Sequence, residues 1–156
     1  MTGHPTAWQS CDYVGDVALI EADVDALFRG ASAAVITTTR RDGSALTSPV
    51  WVRRVGDRVE LVMAASDGKV ANLQREPQCC LVVFESLPPF RAIEVRGHAK
   101  VERRDDVTEV RREIARRYLG AQAGDAFTDG RTSLESVVVS LPLSAARSWD
   151  LRAILD

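Results

Sequence analysis

Histidine is nearly missing from this chain: its 156 residues include two, His4 and His98. Zinc centres and nucleophilic triads both lean on imidazole, so the pair leaves little room for either, and no metal site is expected. Cysteine is scarce and odd in number. Cys11, Cys79 and Cys80 include an adjacent pair, which is neither a disulfide framework nor a CxxC motif; a reducing cytoplasm fits that usage. Positive charge is not in excess, because 20 lysines and arginines face 22 acidic residues for a net charge of -2. General attraction for nucleic acid is thereby disfavoured. The longest purely apolar run, Cys79 to Phe84, is far short of the roughly 20 residues that span a bilayer. The opening MTGHPTAWQSCDYV lacks the basic start and apolar stretch of an export signal. A cytoplasmic protein with no membrane span is therefore expected. None of the ten glycines falls in GxGxxG or GxxxxGK[ST], which sets aside Rossmann and P-loop functions.

What is present suits one domain. The length matches a single core, and 46% apolar residues are enough to fill it. Val17, Ile20, Val24, Leu27 and Phe28 recur at three and four, predicting an amphipathic helix over residues 16–28 with Asp16 as its cap. Ala33 to Thr39 is β-branched and leads through Asp42-Gly43, a hairpin signal, into Leu46 to Val55. A turn at Gly56-Asp57 then precedes a strand from Val59 to Met63. Lys69 to Arg75 reads as a short helix ended by Pro77. The run Cys79 to Phe84 predicts a strand covered on both faces, by a closed barrel or a subunit interface. Ala92 to Glu102 alternates, with Ile93, Val95, Ala99 and Val101 inward and Glu94, Arg96, His98 and Lys100 on a charged face. Gly97 falls inward, which suggests a bulge or a close approach. Residues 106–119 form a surface helix with Val107, Val110, Ile114 and Tyr118 on one stripe, followed by a polar stretch and a strand from Val137 to Leu141. Six strands and three helices at this spacing favour a small antiparallel barrel over a parallel doubly wound sheet.

Chemistry concentrates at Ser66-Asp67-Gly68-Lys69-Val70-Ala71-Asn72-Leu73, where a serine, free backbone amides and a lysine meet as a strand enters a helix. Such a junction suits a phosphate. It equally suits a capped helix with a surface lysine. His98, flanked by Arg96 and Lys100, reads as a solvated residue rather than a ligand.

In order, the chain carries TTTRRDGSALTSPVWV, SDGKVANLQREP, EVRGHAKV and ARSWDLR. This series resembles the pyridoxamine 5'-phosphate oxidase-like split β-barrel family over about residues 33–149. The resemblance implies a mainly β, six-stranded antiparallel split β-barrel with peripheral helices, as a single domain over 1–156 with a mobile amino terminus of about 1–15. Cofactors in that family include FMN, haem and the deazaflavin coenzyme F420. Pro49 stands where FMN-dependent relatives tend to carry a phosphate-binding arginine. The S-P-V-W form, the N-L after Lys69 and the Ser148-Trp149-Asp150-x-Arg152 ending are more similar to the deazaflavin branch, although Leu151 and Ala153 replace a histidine and a lysine often found there.

The resemblance therefore implies an F420-dependent oxidoreductase that transfers a hydride between the deazaflavin and a small organic substrate. FMN-dependent enzymes of the same fold and non-catalytic flavin or deazaflavin carriers are the alternatives. Lys69 and Ser66 would hold the cofactor phosphate and Asn72 would brace the loop. Thr47, Ser48, Pro49 and Val50 would line the ring. Trp51 and Trp149 are each read as a pocket wall or as a core or interface aromatic. Arg40, Arg41, Arg53, Arg54 and Arg75 are candidates for the anionic oligoglutamate tail, or solvated turn residues. No catalytic acid, base or nucleophile stands out. A homodimer with cofactor sites at the subunit junction is implied as well.

Overall fold

The computed structural model describes residues 9–10 and 19–152. Ten strands and four α-helices follow in the order β1 (Gln9–Ser10), α1 (Glu21–Arg29), β2 (Ala33–Thr39), β3 (Ala45–Val50), β4 (Arg53–Val55), β5 (Arg58–Ala64), α2 (Gly68–Arg75), β6 (Gln78–Phe84), β7 (Ala92–His98), β8 (Lys100–Glu102), α3 (Val107–Leu119), α4 (Ala121–Asp129), β9 (Ser136–Pro142) and β10 (Ala146–Trp149). One sheet has the order β1-β10-β7-β6-β2-β3 and the other β4-β5-β9-β8. All pairs are antiparallel except β1 with β10.

Mainly β architecture agrees with expectation, but the count of six strands in one split barrel does not: among the described residues the strands form two sheets, of six and four, that no ladder joins into a ring. The difference arises at two corners. The expected strand Leu46 to Val55 breaks at Trp51-Val52, so that β3 lies in the larger sheet and β4 in the smaller. The expected strand Ala92 to Glu102 breaks at Ala99, whose N–H donates to the Pro77 carbonyl at 2.8 Å, and β7 and β8 again divide between sheets. Alternation survives such a corner, so the period of two gives no sign of it.

Between the sheets lies the main core, including Ile36, Val59, Leu61, Leu81, Val83, Ile93, Val95, Val139 and Leu141. Helix α1 adds Val24, Leu27 and Phe28. Ile20, expected on its apolar stripe, instead occupies the cap position and is 66% exposed. Asp16 and Val17 lie outside the described residues, as do His4, Cys11 and most of the segment expected to be mobile. Within that segment Gln9 and Ser10 form a strand opposite Arg147 and Ser148.

The run Cys79 to Phe84 alternates: Cys79, Leu81 and Val83 are buried while Cys80, Val82 and Phe84 are half-buried. One chain thus covers one face fully and the other in part. Glu94 departs from the expected solvated face. It is buried between Arg96 and Arg147, with Cys80 Sγ donating to it at 3.2 Å. Gly97 makes no close approach, since a methyl there would meet only Pro142 at 3.9 Å. Helix α4 replaces the expected polar loop, and its Gly124 does mark a close approach: a Cβ there would lie 2.5 Å from the backbone nitrogen of Arg116 on α3. No described helix is long and apolar enough to cross a membrane.

Candidate functional site

A cleft of about 420 Å³ opens where the ends of β3 and β5 and the start of α2 meet α3, α4 and the segment after α4. Its apolar surface comes from Pro49, Val50, Trp51, Val62, Met63, Ala64, Ile114, Phe127 and Leu134, and its polar surface from Asp67, Lys69, Arg111, Arg131 and Ser136. Trp51 stacks on Tyr118 with ring centroids 5.3 Å apart and meets Phe127 at 5.1 Å. This tryptophan thus packs against the helices and also walls the cleft. Aromatic pairs of that spacing fix ring orientation beyond what burial alone provides.

Asp67 caps α2 by accepting from the Lys69 N–H at 2.8 Å, and its second oxygen accepts from Lys69 Nζ at 2.9 Å. Burial raises the Asp67 carboxyl, but the Lys69 ammonium and N–H outweigh it and hold the group below the ordinary carboxylate range. Lys69 is held low over the start of the helix, its side chain 15% exposed. Ser66 is exposed. Asn72 is buried and donates to Thr38 Oγ1 at 3.1 Å, which braces α2 against β2.

Of the expected site residues, Pro49, Val50 and Lys69 line the cleft, whereas Thr47, Ser48, Ser66 and Asn72 do not. Thr47 meets Thr37 across the β2–β3 ladder, hydroxyl to hydroxyl at 2.9 Å. Asn72 borders a second, shallower recess with Arg40, Arg41, Asp42, Leu46 and Gly68. Arg53 and Arg54 are engaged by carboxylates, Arg53 by Glu60 and Glu113 and Arg54 by Glu21 and Asp25. Arg75 donates to the Thr39 carbonyl. The carboxyl-terminal motif turns from the cleft toward α1: Ser148 Oγ accepts from the Leu19 N–H, and Arg152 pairs with Asp23 and the buried Asp150. Trp149 lies opposite Ala92 in the β10–β7 ladder. His98 is exposed and does not line the cleft.

Arg111, Arg131 and Phe127 are site residues that the sequence reading missed. For Arg111 a signal existed. Val107, Arg111, Ile114 and Tyr118 follow a spacing of four, three and four, so position 111 lies on the inward stripe of α3 despite its charge.

Two antiparallel sheets between which the chain crosses at two corners, with a helical pair walling a cation-bearing cleft, make up the frame that a known family shares. The chain belongs to the pyridoxamine 5'-phosphate oxidase family, whose model matches residues 20–150. That family includes oxidoreductases and binds flavin-type cofactors. Among solved structures, the conserved hypothetical protein Rv2991 from Mycobacterium tuberculosis superposes with a TM-score of 0.76 at 18% identity, over 94% of each chain. A protein described as an F420 reductase gives 0.62 at 20% identity, over 78% of this chain and 94% of its own. HutZ, the haem storage protein of Vibrio cholerae, gives 0.61 at 14% identity, over 78% and 88%. No curated protein matches the chain.

Proposed function

We propose that the cleft binds coenzyme F420 and that the protein is an F420-dependent reductase of a small organic substrate. The observation that carries this reading is the union of an apolar wall, from Pro49, Val50 and Trp51, with Lys69 held at the start of α2 on the same cleft. An aromatic, phosphate-bearing cofactor needs both. Lys69 at the start of α2 would hold the phosphate, helped by Ser66 and by the backbone amides of the first helical turn. Pro49 and Val50 would bear on the ring, with Thr47 and Ser48 continuing along β3, and Trp51 would close the wall. Arg40 and Arg41 beside the second recess would attract an anionic tail. When bound, a reduced deazaflavin supplies a hydride to an electron-poor substrate. The chain's own contribution is orientation and exclusion of water, which asks for no acid or base among the lining residues.

FMN is the secondary reading, but no guanidinium on β3 faces the cleft to hold its phosphate. Haem finds no support, because His98, the one histidine among the described residues, stands outside the cleft. A second copy seated on the outer face of β6 would complete the cover of Val82 and Phe84, and sedimentation would report the dimer.

The test is titration with F420 and with FMN, followed by tryptophan quenching. F420 is expected to bind tightly and FMN much more weakly. Lys69→Ala is expected to weaken F420 about tenfold, the worth of one charge-assisted contact. Equal affinity in a folded Lys69→Ala protein, or preference for FMN, overturns the assignment. F420 binding without turnover of any substrate would instead mark a carrier.

A further inference from the structure

Arg111 projects from α3 into the cleft yet is only 7% exposed. Its Nη1 donates to the Arg131 carbonyl at 3.0 Å and its Nη2 to Ser136 Oγ. Both acceptors are neutral. A guanidinium carries five N–H donors and stays protonated at physiological pH, and no further acceptor reaches it among the described residues. Neither Arg111 nor Arg131 pairs with a carboxylate within the described chain, whereas Arg104, Arg112 and Arg116 all do. A buried charge without a counter-charge is costly. Here the cost is greater because Arg131, stacked 3.7 Å above the Phe127 ring, brings a second cation to the same cleft. Burial and that neighbouring charge both lower the Arg111 pKa.

We propose that Arg111 and Arg131 form an oxyanion site distinct from the Lys69 phosphate site, and that it takes a carboxylate or phosphate carried by the substrate. The inference rests on the cofactor reading only in assigning the anion to substrate. The substrate class is then a small, electron-poor, anionic molecule, held by a guanidinium whose remaining donors match the two oxygens of such a group.

The Nε–H resonance of Arg111, assigned through Arg111→Lys, reads the site directly by ¹⁵N NMR. Inorganic phosphate and fumarate serve as probes on the cofactor-free protein, on the F420-saturated protein and on Lys69→Ala. A saturable shift of that resonance is expected in all three. A response to both probes supports the site, and a response to one alone assigns the oxyanion it takes. Arg131→Gln, a change at an exposed residue, is expected to weaken the probe about threefold, the worth of a partly screened charge. No shift at Arg111 overturns the proposal, as does a shift abolished by F420 saturation, which would give the guanidinium to the cofactor. Failure of F420 to bind would sink the cofactor reading alone, since the cofactor-free titration still decides whether Arg111 binds an oxyanion.

Discussion

Gly124→Ala sets two effects of opposite sign against each other. Alanine in a helix interior gains about 1 kcal/mol over glycine, so propensity alone predicts a more stable α4. The structure predicts the reverse. A Cβ at position 124 would stand 2.5 Å from Arg116 N, 2.6 Å from Arg116 Cα and 2.7 Å from the carbonyl carbon of Ala115. All three are backbone atoms of α3, so no rotamer change relieves the contact, and the helices must separate by on the order of 1 Å to reach normal packing distance. Overpacking of this kind costs typically 1–3 kcal/mol. Separation also loosens the Asp125 pairs with Arg112 and Arg116 and draws Phe127 from Trp51.

Overpacking and the loosened contacts together cost about 2–3 kcal/mol, so that after the propensity gain of about 1 kcal/mol the expected net loss is about 1–2 kcal/mol, or on the order of 3–6 °C in Tm for a chain of this size. Gly130→Ala is the control. Its φ of -69° is helical, and a Cβ there would meet nothing nearer than the Ala126 carbonyl at 3.5 Å, so the change is expected to be neutral or to stabilise by up to about 1 kcal/mol. Urea denaturation followed by tryptophan fluorescence measures both. A Gly124→Ala protein as stable as the parent, or more so, would refute the packing argument and leave propensity as the governing term.

Three further outcomes follow from buried polar groups. Burial raises the Glu60 carboxyl, but Arg53 and Arg104 outweigh it and hold the group below its ordinary value; its contribution is complete above the unfolded pKa and lost as pH falls through the lower folded one. Glu60→Gln should cost about 3 kcal/mol at neutral pH and flatten the acid limb of a stability-against-pH curve, and an unchanged limb would remove Glu60 from that role. Tyr118 Oη donates to the Ser32 carbonyl at 2.9 Å and accepts from the Val52 N–H at 3.3 Å, so Tyr118→Phe should cost about 1–2 kcal/mol by chemical denaturation through those orphaned groups. Burial pushes the Cys79 thiol up to about 12 and raises Cys80 as well; peptide mapping after a thiol reagent at pH 8 should find both labelled far more slowly in folded than in unfolded protein.

Much of the fold was legible where local chemistry and tertiary structure agree. Asp42-Gly43 turns the β2–β3 hairpin, with Gly43 at φ 83° and Asp42 Oδ1 accepting from the Ser44 N–H. The Lys69–Arg75 helix matches α2 to within a residue. Strands crossing between sheets were not legible, because neither Trp51-Val52 nor Ala99 carries glycine or proline. Helix α4 escaped for a different reason: AQAGDAFTD has one large apolar residue, Phe127, and is held by contact with α3 rather than by a stripe of its own. That hidden helix brings Phe127 and the start of the Arg131 segment to the cleft, so missing it meant missing one of the cleft's three cations.

The cleft's two interior cations differ in what a ligand must displace. Lys69 already has Asp67, but both side chains are partly exposed, 15% and 30%, and a pair of that kind is worth about 1 kcal/mol or less. An incoming phosphate therefore exchanges partners at Lys69 for a modest loss, and Asp67 keeps its capping bond to the Lys69 N–H. Arg111 has no carboxylate to give up. Its desolvation has been met in folding, so the full charge-assisted interaction is available to the first oxyanion that reaches it. Binding energy is thus distributed unevenly: weakly contested at the helix start, uncontested beneath Arg131. Selectivity for an anionic ligand should consequently depend more on Arg111 than on Lys69, although Lys69 carries the more recognisable motif.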